Sequence, residues 1–336
     1  PSFPVSLRGA GGGSLLSLLW IDPTAPMSAR QVPIVCPGHT RPLTEVFYSP
    51  ATEDGCFLIS GCHDKLPMLR RSDTGDWIGT FAGHKGAVWS AKLDSEARLA
   101  ATGAADFTAK LWDAITGKEL AEFPHKHIVK AVTFSQDRSR LATGGSEGVL
   151  RVFDLASSDT IAEIPHTGDD KVTLNKVLFA SDDANMVITG ASNGCIRFWD
   201  VRSNQQVIEK RVDGLVMDLE LADTVDGKLL TVAAGRTVSI FQATDCSLLH
   251  THTMPISFRE EGGASMHPAG DRFIAGGSDT WVRVFDRQTG TETECHKGHH
   301  GPVRCLRYAP DGNSYASGSE DGTIRIWETN PSTAEA

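Results

Sequence analysis

Histidines near aspartates and hydroxyl residues are the side chains of this sequence best suited to chemistry. His84 stands 22 residues before Asp106, with Thr102 between them, and His299 stands 22 residues before Asp321. Imidazole, carboxylate and hydroxyl groups together could support acid–base or nucleophilic catalysis. The spacing of these residues along the chain decides whether the pattern is catalytic or structural.

The pattern repeats, which favours a structural origin. Trp112 and Trp327 each follow the aspartate by six positions. Weaker copies place five other residues in the aromatic position, namely Arg70, Phe153, Trp199, Phe241 and Phe285. The mean separation of the seven positions is about 43 residues, which resembles the WD40 repeat, a four-stranded propeller blade. We therefore expect an all-β fold, a seven-bladed WD40 β-propeller.

Local patterns support strands and indicate how the ring closes. Hydrophobic alternation in Ala87–Leu93, Val129–Phe134 and Val303–Tyr308 predicts inner strands, and glycine-rich turns separate them from the next strands. Only nine residues follow Trp327, too few for another blade strand. We expect Gln31–Cys36 to complete the last blade instead, so that an N-terminal strand closes the sheet edge.

The repeat also sets the domain organisation. The length alone would suit two ordinary domains, but the repeat predicts one propeller domain over residues 30–329. Residues 1–29 are expected to be a disordered or non-native extension, and residues 330–336 a disordered tail. The short apolar stretch Leu15–Ile21 is a poor signal peptide. The chain has no apolar run long enough for a membrane span, so no membrane insertion is expected.

The resemblance to WD40 blades implies that the histidines are structural. In such blades a loop histidine, a Ser or Thr, a turn aspartate and a Trp form a hydrogen-bonded tetrad. The residues assigned to tetrads are His84, Thr102, Asp106 and Trp112 in blade two, His299, Ser317, Asp321 and Trp327 in blade seven, and His39, Ser60 and Asp64, with Arg70 in the Trp position, in blade one.

The middle blades depart from this set. Blade three offers His125 or His127, and blade four offers His166 with Asn193 in the acid position. Blade five has neither the histidine nor the acid, which leaves its strand limits open. Blade six keeps Asp279 without the histidine.

Catalytic and metal-binding motifs are absent from the sequence. It has no P-loop, H-E-x-x-H or dinucleotide-binding motif, and no G-x-S-x-G nucleophile elbow between a strand and a helix. A propeller enzyme would need a carboxylate or histidine cluster in the central channel, and the sequence indicates none. Histidines at 296, 299 and 300 lie near Cys295 and Cys305, but their spacing is irregular. No catalytic residue, cofactor or metal site is predicted.

Composition limits the class of partner. The net charge is −10, from 42 acidic and 32 basic residues. Proteins that coat nucleic acid normally carry the opposite sign, so we expect RNA to be reached only through other proteins. The seven cysteines are scattered without a C-x-x-C pair, which favours reduced thiols in the cytoplasm or nucleus.

Four longer segments give a more specific resemblance. They are GDWIGTFAGHKGAVW (75–89), ADFTAKLWDA (105–114), HKHIVKAV (125–132) and YASGSEDGTIRIW (315–327). With them the chain resembles the family of serine-threonine kinase receptor-associated proteins, also called Unr-interacting proteins, over residues 30–329 and most weakly over 155–265. The alternative is the WD40 subunit i of translation initiation factor three, which also has a GH-x-GAVW blade, or another propeller scaffold.

The resemblance implies a non-enzymatic adaptor, found in the cytoplasm and nucleus as a monomer within a larger complex. Members are subunits of the survival-of-motor-neuron (SMN) complex in spliceosomal snRNP assembly, where a Gemin-type subunit contacts them. They also bind the RNA-binding protein Unr. In TGF-β signalling they join the type I receptor to an inhibitory Smad.

Partners of WD40 propellers usually bind the rim formed by the loops before the first strand and between the second and third strands of each blade. Counting from the loop histidines places one residue per blade there, namely Thr44, Trp89, Lys130, Asn175, Met217, Gly262 and Arg304. His63 and Glu320, which precede turn acids, join them. Trp and Arg are enriched in binding hot spots, so we select Trp89, Lys130 and Arg304. The alternatives are an ordinary solvated rim or docking at the edge of blades five to seven.

Overall fold

Seven antiparallel sheets follow one another along the chain as the blades of a propeller. The computed structural model describes residues 31–166, 172–180, 184–258 and 262–330. Within these ranges every long element is a strand, which confirms the predicted seven-bladed all-β fold. The same residues contain no helix able to cross a membrane. The predictions for residues 1–29 and 331–336 lie outside the described part.

The first three blades have four strands each and follow a short N-terminal strand. That first strand is β1 (Ile34–Cys36). Blade one contains β2 (Leu43–Tyr48), β3 (Phe57–Cys62), β4 (Met68–Arg71) and β5 (Trp77–Thr80). Blade two contains β6 (Val88–Leu93), β7 (Leu99–Ala104), β8 (Thr108–Asp113) and β9 (Glu119–Pro124). Blade three contains β10 (Val129–Phe134), β11 (Arg140–Gly145), β12 (Val149–Asp154) and β13 (Thr160–Pro165).

The remaining blades continue in the same order. Blade four contains β14 (Leu174–Phe179), β15 (Met186–Ala191), β16 (Cys195–Asp200) and β17 (Gln205–Arg211). Blade five contains β18 (Val216–Thr224), β19 (Gly227–Gln242) and β20 (Leu248–Phe258). Blade six contains β21 (Gly263–Met266), β22 (Arg272–Gly276), β23 (Trp281–Asp286) and β24 (Glu292–Lys297). Blade seven contains β25 (Val303–Tyr308), β26 (Ser314–Ser319) and β27 (Ile324–Glu328).

Burial decreases from the inner to the outer strands, and the sequence follows it. The inner strand β7 reads LAATGA and is almost fully buried, whereas the outer strand β9 reads ELAEFP and is mostly exposed. The small residues of β7 allow the next blade to pack closely. A Cβ added to Gly103 would lie 2.8 Å from Cγ1 of Val129 in blade three. Apolar side chains from adjacent blades form the core between them, as where the rings of Phe123 and Phe153 lie 4.6 Å apart.

The ring closes through the N-terminal strand, as predicted. β1 pairs antiparallel with β27, with Ile34 opposite Ile326 and Cys36 opposite Ile324. The strand begins at Ile34 rather than at Gln31, since Pro33 lacks the N–H group that a strand residue donates. Blade seven therefore takes its outer strand from the other end of the chain.

Blade five differs from the rest because its second and third strands are continuous. β19 pairs with β18 from Gly227 to Ala234 and with β20 from Gly235 to Phe241. The chain changes partner at Gly235, whose φ of 56° lies in the left-handed region. A kink at this glycine replaces the acid-containing turn of other blades, which explains the missing acid.

Candidate partner-binding site at the channel mouth

The seven residues predicted for the rim converge on one mouth of the central channel. In six blades the register of the innermost strand shifts at its second residue, which is Thr44, Trp89, Lys130, Asn175, Met217 or Arg304. A β-bulge at that position redirects the side chain. Together with Gly262 of blade six, these residues line a cavity of about 70 Å³, which we call the channel mouth.

Two of the seven residues brace neighbouring blades. Oγ1 of Thr44 donates a 2.8 Å hydrogen bond to the carbonyl of Val88 in blade two. Nδ2 of Asn175 donates an equivalent 2.8 Å bond to the carbonyl of Val216 in blade five. Their polar groups are used within the ring, so the residues best placed to meet a partner are Trp89, Lys130 and Arg304.

Trp89 is half-buried between two other rim residues. The ring of His63 meets the indole edge-on, with centroids 4.9 Å apart. Nζ of Lys130 lies 5.0 Å from the indole centroid, within cation–π range. In the described part of the chain, neither Nε1 of Trp89 nor Nε2 of His63 has a hydrogen-bond partner. Burial lowers the pKa of His63, and the nearby Arg304 lowers it further.

Arg304 lies at the same mouth, beside a partly exposed carboxylate. One of its guanidinium nitrogens lies 3.7 Å from a carboxylate oxygen of Glu320, whose side chain is 44% exposed. A contact of this length and exposure contributes little to stability. Losing this contact with Glu320 to another carboxylate would therefore cost little.

Below the mouth, charged side chains cross the channel. The Glu45 carboxylate lies 2.9 Å from Nζ of Lys92 and 3.1 Å from Nζ of Lys176. Arg307 donates two hydrogen bonds to Asp218, of 2.6 and 2.7 Å. Burial alone would raise the pKa of Glu45, but the ammonium groups of Lys176 and Lys92 outweigh it and hold this pKa well below its usual range.

The expectation that no carboxylates cluster in the channel is therefore wrong. Glu45, Asp218 and Glu220 all face it. Burial raises the pKa of Glu220 against the opposing effect of Arg307, and its oxygens accept 2.7 Å bonds from Ser265 Oγ and the backbone N–H of Met266. The carboxylates come from blades one and five, so only closure of the ring brings them together. All three contact Lys or Arg side chains, as in a structural ion network.

The structure also joins the tetrad residues of blade two. His84 Nδ1 lies 2.8 Å from Asp106, and His84 Nε2 lies 2.7 Å from Thr102 Oγ1. Nε1 of Trp112 donates a 2.8 Å bond to the same hydroxyl. Burial alone would raise the pKa of Asp106. Hydrogen bonds from Thr108, His84 and a backbone N–H outweigh burial and lower this pKa to about 2.

Blade seven repeats this geometry. His299 lies 3.2 Å from Asp321 and 2.8 Å from Ser317, which accepts a 2.9 Å bond from Trp327.

Blade one keeps the histidine connections but has a buried cation beside them. His39 lies 2.8 Å from both Asp64 and Ser60. Arg70 is 3% exposed and donates to the backbone carbonyls of Gly75 and Pro37. Burial lowers the pKa of Arg70. The Arg70 side chain thus occupies the Trp position, and backbone carbonyls satisfy its guanidinium.

The structure decides between the two histidines of blade three. His125 Nε2 lies 2.8 Å from Thr143 Oγ1, the position of Thr102 in blade two. His127 instead contacts the ring of Phe107, with centroids 5.4 Å apart. His125 is therefore the structural histidine.

One group of side chains has the atoms of a metal site. The ligand atoms of His39, Cys62 and Asp64 lie within 4.8 Å of one another. Both nitrogens of His39 are already engaged in blade one. Burial raises the pKa of Cys62 to about 12, so its thiol keeps its proton at neutral pH. His39 and Asp64 are therefore explained as members of the blade-one tetrad, with a protonated thiol beside them. The second sequence cluster, around His299, forms no such group among the described residues.

Comparisons with known proteins agree with this architecture. The family model described as WD domain, G-beta repeat matches residues 75–113, 117–154, 163–200 and 290–328. These four matches end in the third strands of blades two, three, four and seven. The unmatched blades include blade one, with Arg70 in the Trp position, and blade five, with its kinked strand.

Several curated proteins are similar to this chain over most of its length. The serine-threonine kinase receptor-associated protein of Gallus gallus is 44% identical over 304 residues, which cover 90% of this chain and 84% of the relative. Its namesake in Dictyostelium discoideum is 43% identical, covering 88% and 98%. Eukaryotic translation initiation factor 3 subunit I of Drosophila grimshawi is 31% identical, covering 88% and 95%. The higher identity over the whole ring is decisive, and the chain belongs to the serine-threonine kinase receptor-associated protein family of WD40 propellers.

Proposed function

We propose that this chain is a non-enzymatic scaffold that binds protein partners at the channel mouth through Trp89, Lys130 and Arg304. One observation carries the proposal. The same bulge in six blades directs one side chain each to a single mouth, and three of these side chains are of types suited to recognition. His63 and Glu320 border the same surface.

The family supports a particular set of partners. We propose that the chain serves as a subunit of the SMN complex in spliceosomal snRNP assembly, and hence in mRNA processing and splicing. It would contact SMN or Gemin-type subunits and an Unr-like RNA-binding protein, and reach RNA only through them. The relatives are named for association with a serine-threonine kinase receptor. We propose a second role as a regulator of TGF-β receptor signalling, with the type I receptor and an inhibitory Smad as partners. Both roles place a monomer within larger complexes of the cytoplasm and nucleus.

The second candidate function is a scaffold of translation initiation, since subunit I of eukaryotic translation initiation factor 3 is 31% identical to this chain. Native affinity purification with mass spectrometry separates the two. Recovery of SMN and Gemin subunits supports the first proposal, and recovery of initiation factor subunits supports the second.

The same experiment tests the binding surface with two double variants. Trp89→Ala with Arg304→Glu should reduce capture of the main partner while leaving the protein folded. Trp77→Ala with Arg71→Glu makes matched changes on the outer strands of blade one, where Trp77 is 60% exposed, and should leave capture intact. Loss of capture in the second variant alone would move the interface to the side of the propeller.

A further inference from the structure

We propose that the channel mouth binds a side-chain carboxylate from an acidic peptide segment of the partner protein, held by Lys130, Trp89 and Arg304. The inference rests on the proposed function and adds the chemistry of the ligand. It follows from the buried ring nitrogens of Trp89 and His63 that have no partner among the described residues, and from the positive charges of Lys130 and Arg304 at the same mouth.

Lys130 provides the first argument. Its ammonium group stands over the Trp89 ring and is half-buried. Burial lowers the pKa of Lys130, and no carboxylate of the described residues opposes that effect. A partly desolvated cation without an anion is unfavourable, and a ligand carboxylate would relieve this cost.

The indole and imidazole groups provide the second argument. Nε1 of Trp89 can only donate a hydrogen bond, and its atom is buried without an acceptor among the described residues. Nε2 of His63, on the adjacent ring, is likewise unpartnered there. Unsatisfied buried polar atoms are uncommon and costly in folded proteins. An incoming carboxylate has two oxygens that could accept from the indole and pair with the ammonium group together.

Arg304 and Glu320 provide the third argument. The propeller already places a partly exposed carboxylate beside this mouth, 3.7 Å from the guanidinium. Deeper in the channel, three carboxylates from blades one and five face three cations. Lys130 and Arg304 therefore give the mouth an excess of positive charge that favours an anionic ligand.

The charge of the protein favours an acidic side chain over RNA as the ligand of the mouth. The cavity of about 70 Å³ has room for a carboxylate group. The net charge of −10 also opposes a polyanionic backbone, which needs many cations along its path. A single acidic side chain on a protein segment does not meet this difficulty.

Fluorine NMR of the full chain labelled with 5-fluorotryptophan tests this proposal, with Trp89→Phe assigning the Trp89 resonance. The first probe is a 12-residue peptide, Gly-Ser-Glu repeated four times. Its controls are the same peptide with Gln for Glu and a 12-nucleotide oligouridylate. We expect the Glu peptide alone to shift the Trp89 resonance in a saturable way. An equal shift with the Gln peptide, or tighter binding of the oligouridylate, would overturn the proposal.

Two lysine variants complete the test. Lys130→Gln should weaken binding of the Glu peptide by about five-fold or more, as expected for loss of a partly buried charge pair. Lys118→Gln, an exposed lysine outside the channel mouth, should leave it unchanged. Melting curves show whether each variant is folded. Equal affinity of the Lys130→Gln variant and the wild type would overturn the proposal.

The two proposals can fail separately. Peptide binding without loss of partner capture by the Trp89 and Arg304 variant would keep the carboxylate site and refute the docking surface. Loss of capture without peptide binding would keep the surface and refute the acidic ligand.

Discussion

The guanidinium of Arg197 donates a 2.6 Å hydrogen bond to Nδ1 of His166, in the place where blade two has an aspartate. A guanidinium has no acceptor, so Nδ1 must accept and the imidazole proton must lie on Nε2, which is 3.0 Å from Thr189 Oγ1. In blade two, Nδ1 of His84 carries the proton and donates it to Asp106. Blade four therefore makes the same connection between loop and strand with the opposite tautomer.

This reversal predicts a loss of stability in mild acid. Burial, and then Arg197, lower the pKa of His166 to about 4. An unfolded histidine titrates near pH 6.5, so the unfolded state binds the proton first. The contribution of neutral His166 to the free energy of unfolding is therefore complete above about pH 6.5 and is lost as the pH falls towards 4. Between pH 7 and 4.5, the free energy of unfolding should fall by about 2 kcal/mol more for the wild type than for His166→Gln.

Urea denaturation at the two pH values measures this difference. Burial also lowers the pKa of His84, His125 and His299, but these groups are shared by both proteins and cancel in the comparison. Parallel pH profiles of the wild type and His166→Gln would show that folding does not lower the pKa of His166.

Counting along the repeat predicted the parts of the molecule that follow the strand register. The closing strand and the rim positions are of this kind, because a fixed period fixes which residue of each inner strand lies next to the loop histidine. The structure places Trp89 and Arg304 at one mouth on opposite sides of the first blade, although 215 residues separate them in the sequence.

Contacts across the ring could not be predicted in this way. Lys176 and Glu45 are separated by 131 residues and meet only because seven blades close a channel of a particular width. The partner of His166 was missed for a local reason. Asn193 stands in the acid position, and without a carboxylate there the neighbouring Arg197 turns to the histidine. In this blade a donor, Arg197, has replaced the aspartate acceptor of the tetrad. The repeat in the sequence gives no sign of this replacement.

The tetrad of blade two predicts a stability effect at Asp106. Asp106→Ala would remove the acceptor of bonds from His84 and from the backbone N–H of Lys85, both 2.8 Å long. Leaving these donors without an acceptor should lower the free energy of unfolding by about 1–3 kcal/mol. Thermal and urea melts at pH 7 measure the change, with Asp73→Ala, at an exposed carboxylate, as the control. A melting temperature equal to the wild type would contradict the structural role of Asp106.

The channel network predicts a larger effect at Arg307. Its bidentate pair with Asp218 is buried, and Arg307→Met would leave a buried carboxylate whose nearest other cation is Lys176, at 3.4 Å. Breaking such a pair costs about 3–5 kcal/mol, whereas replacing both partners with apolar residues is often nearly neutral. Urea denaturation should therefore show partial recovery in the double variant Arg307→Met with Asp218→Leu. A double variant less stable than Arg307→Met alone would indicate that Asp218 is held by groups other than Arg307.

Ring closure predicts different outcomes for two N-terminal truncations. A chain beginning at Gln31 keeps β1 and should melt like the full protein, as expected if the propeller domain begins at residue 30. A chain beginning at Gly38 lacks the partner of β27 and the buried side chain of Cys36. Because it exposes a sheet edge and loses several backbone hydrogen bonds, its free energy of unfolding should fall by about 2–4 kcal/mol. Equal melting temperatures for the two truncations would mean that the other strands hold the ring closed without β1.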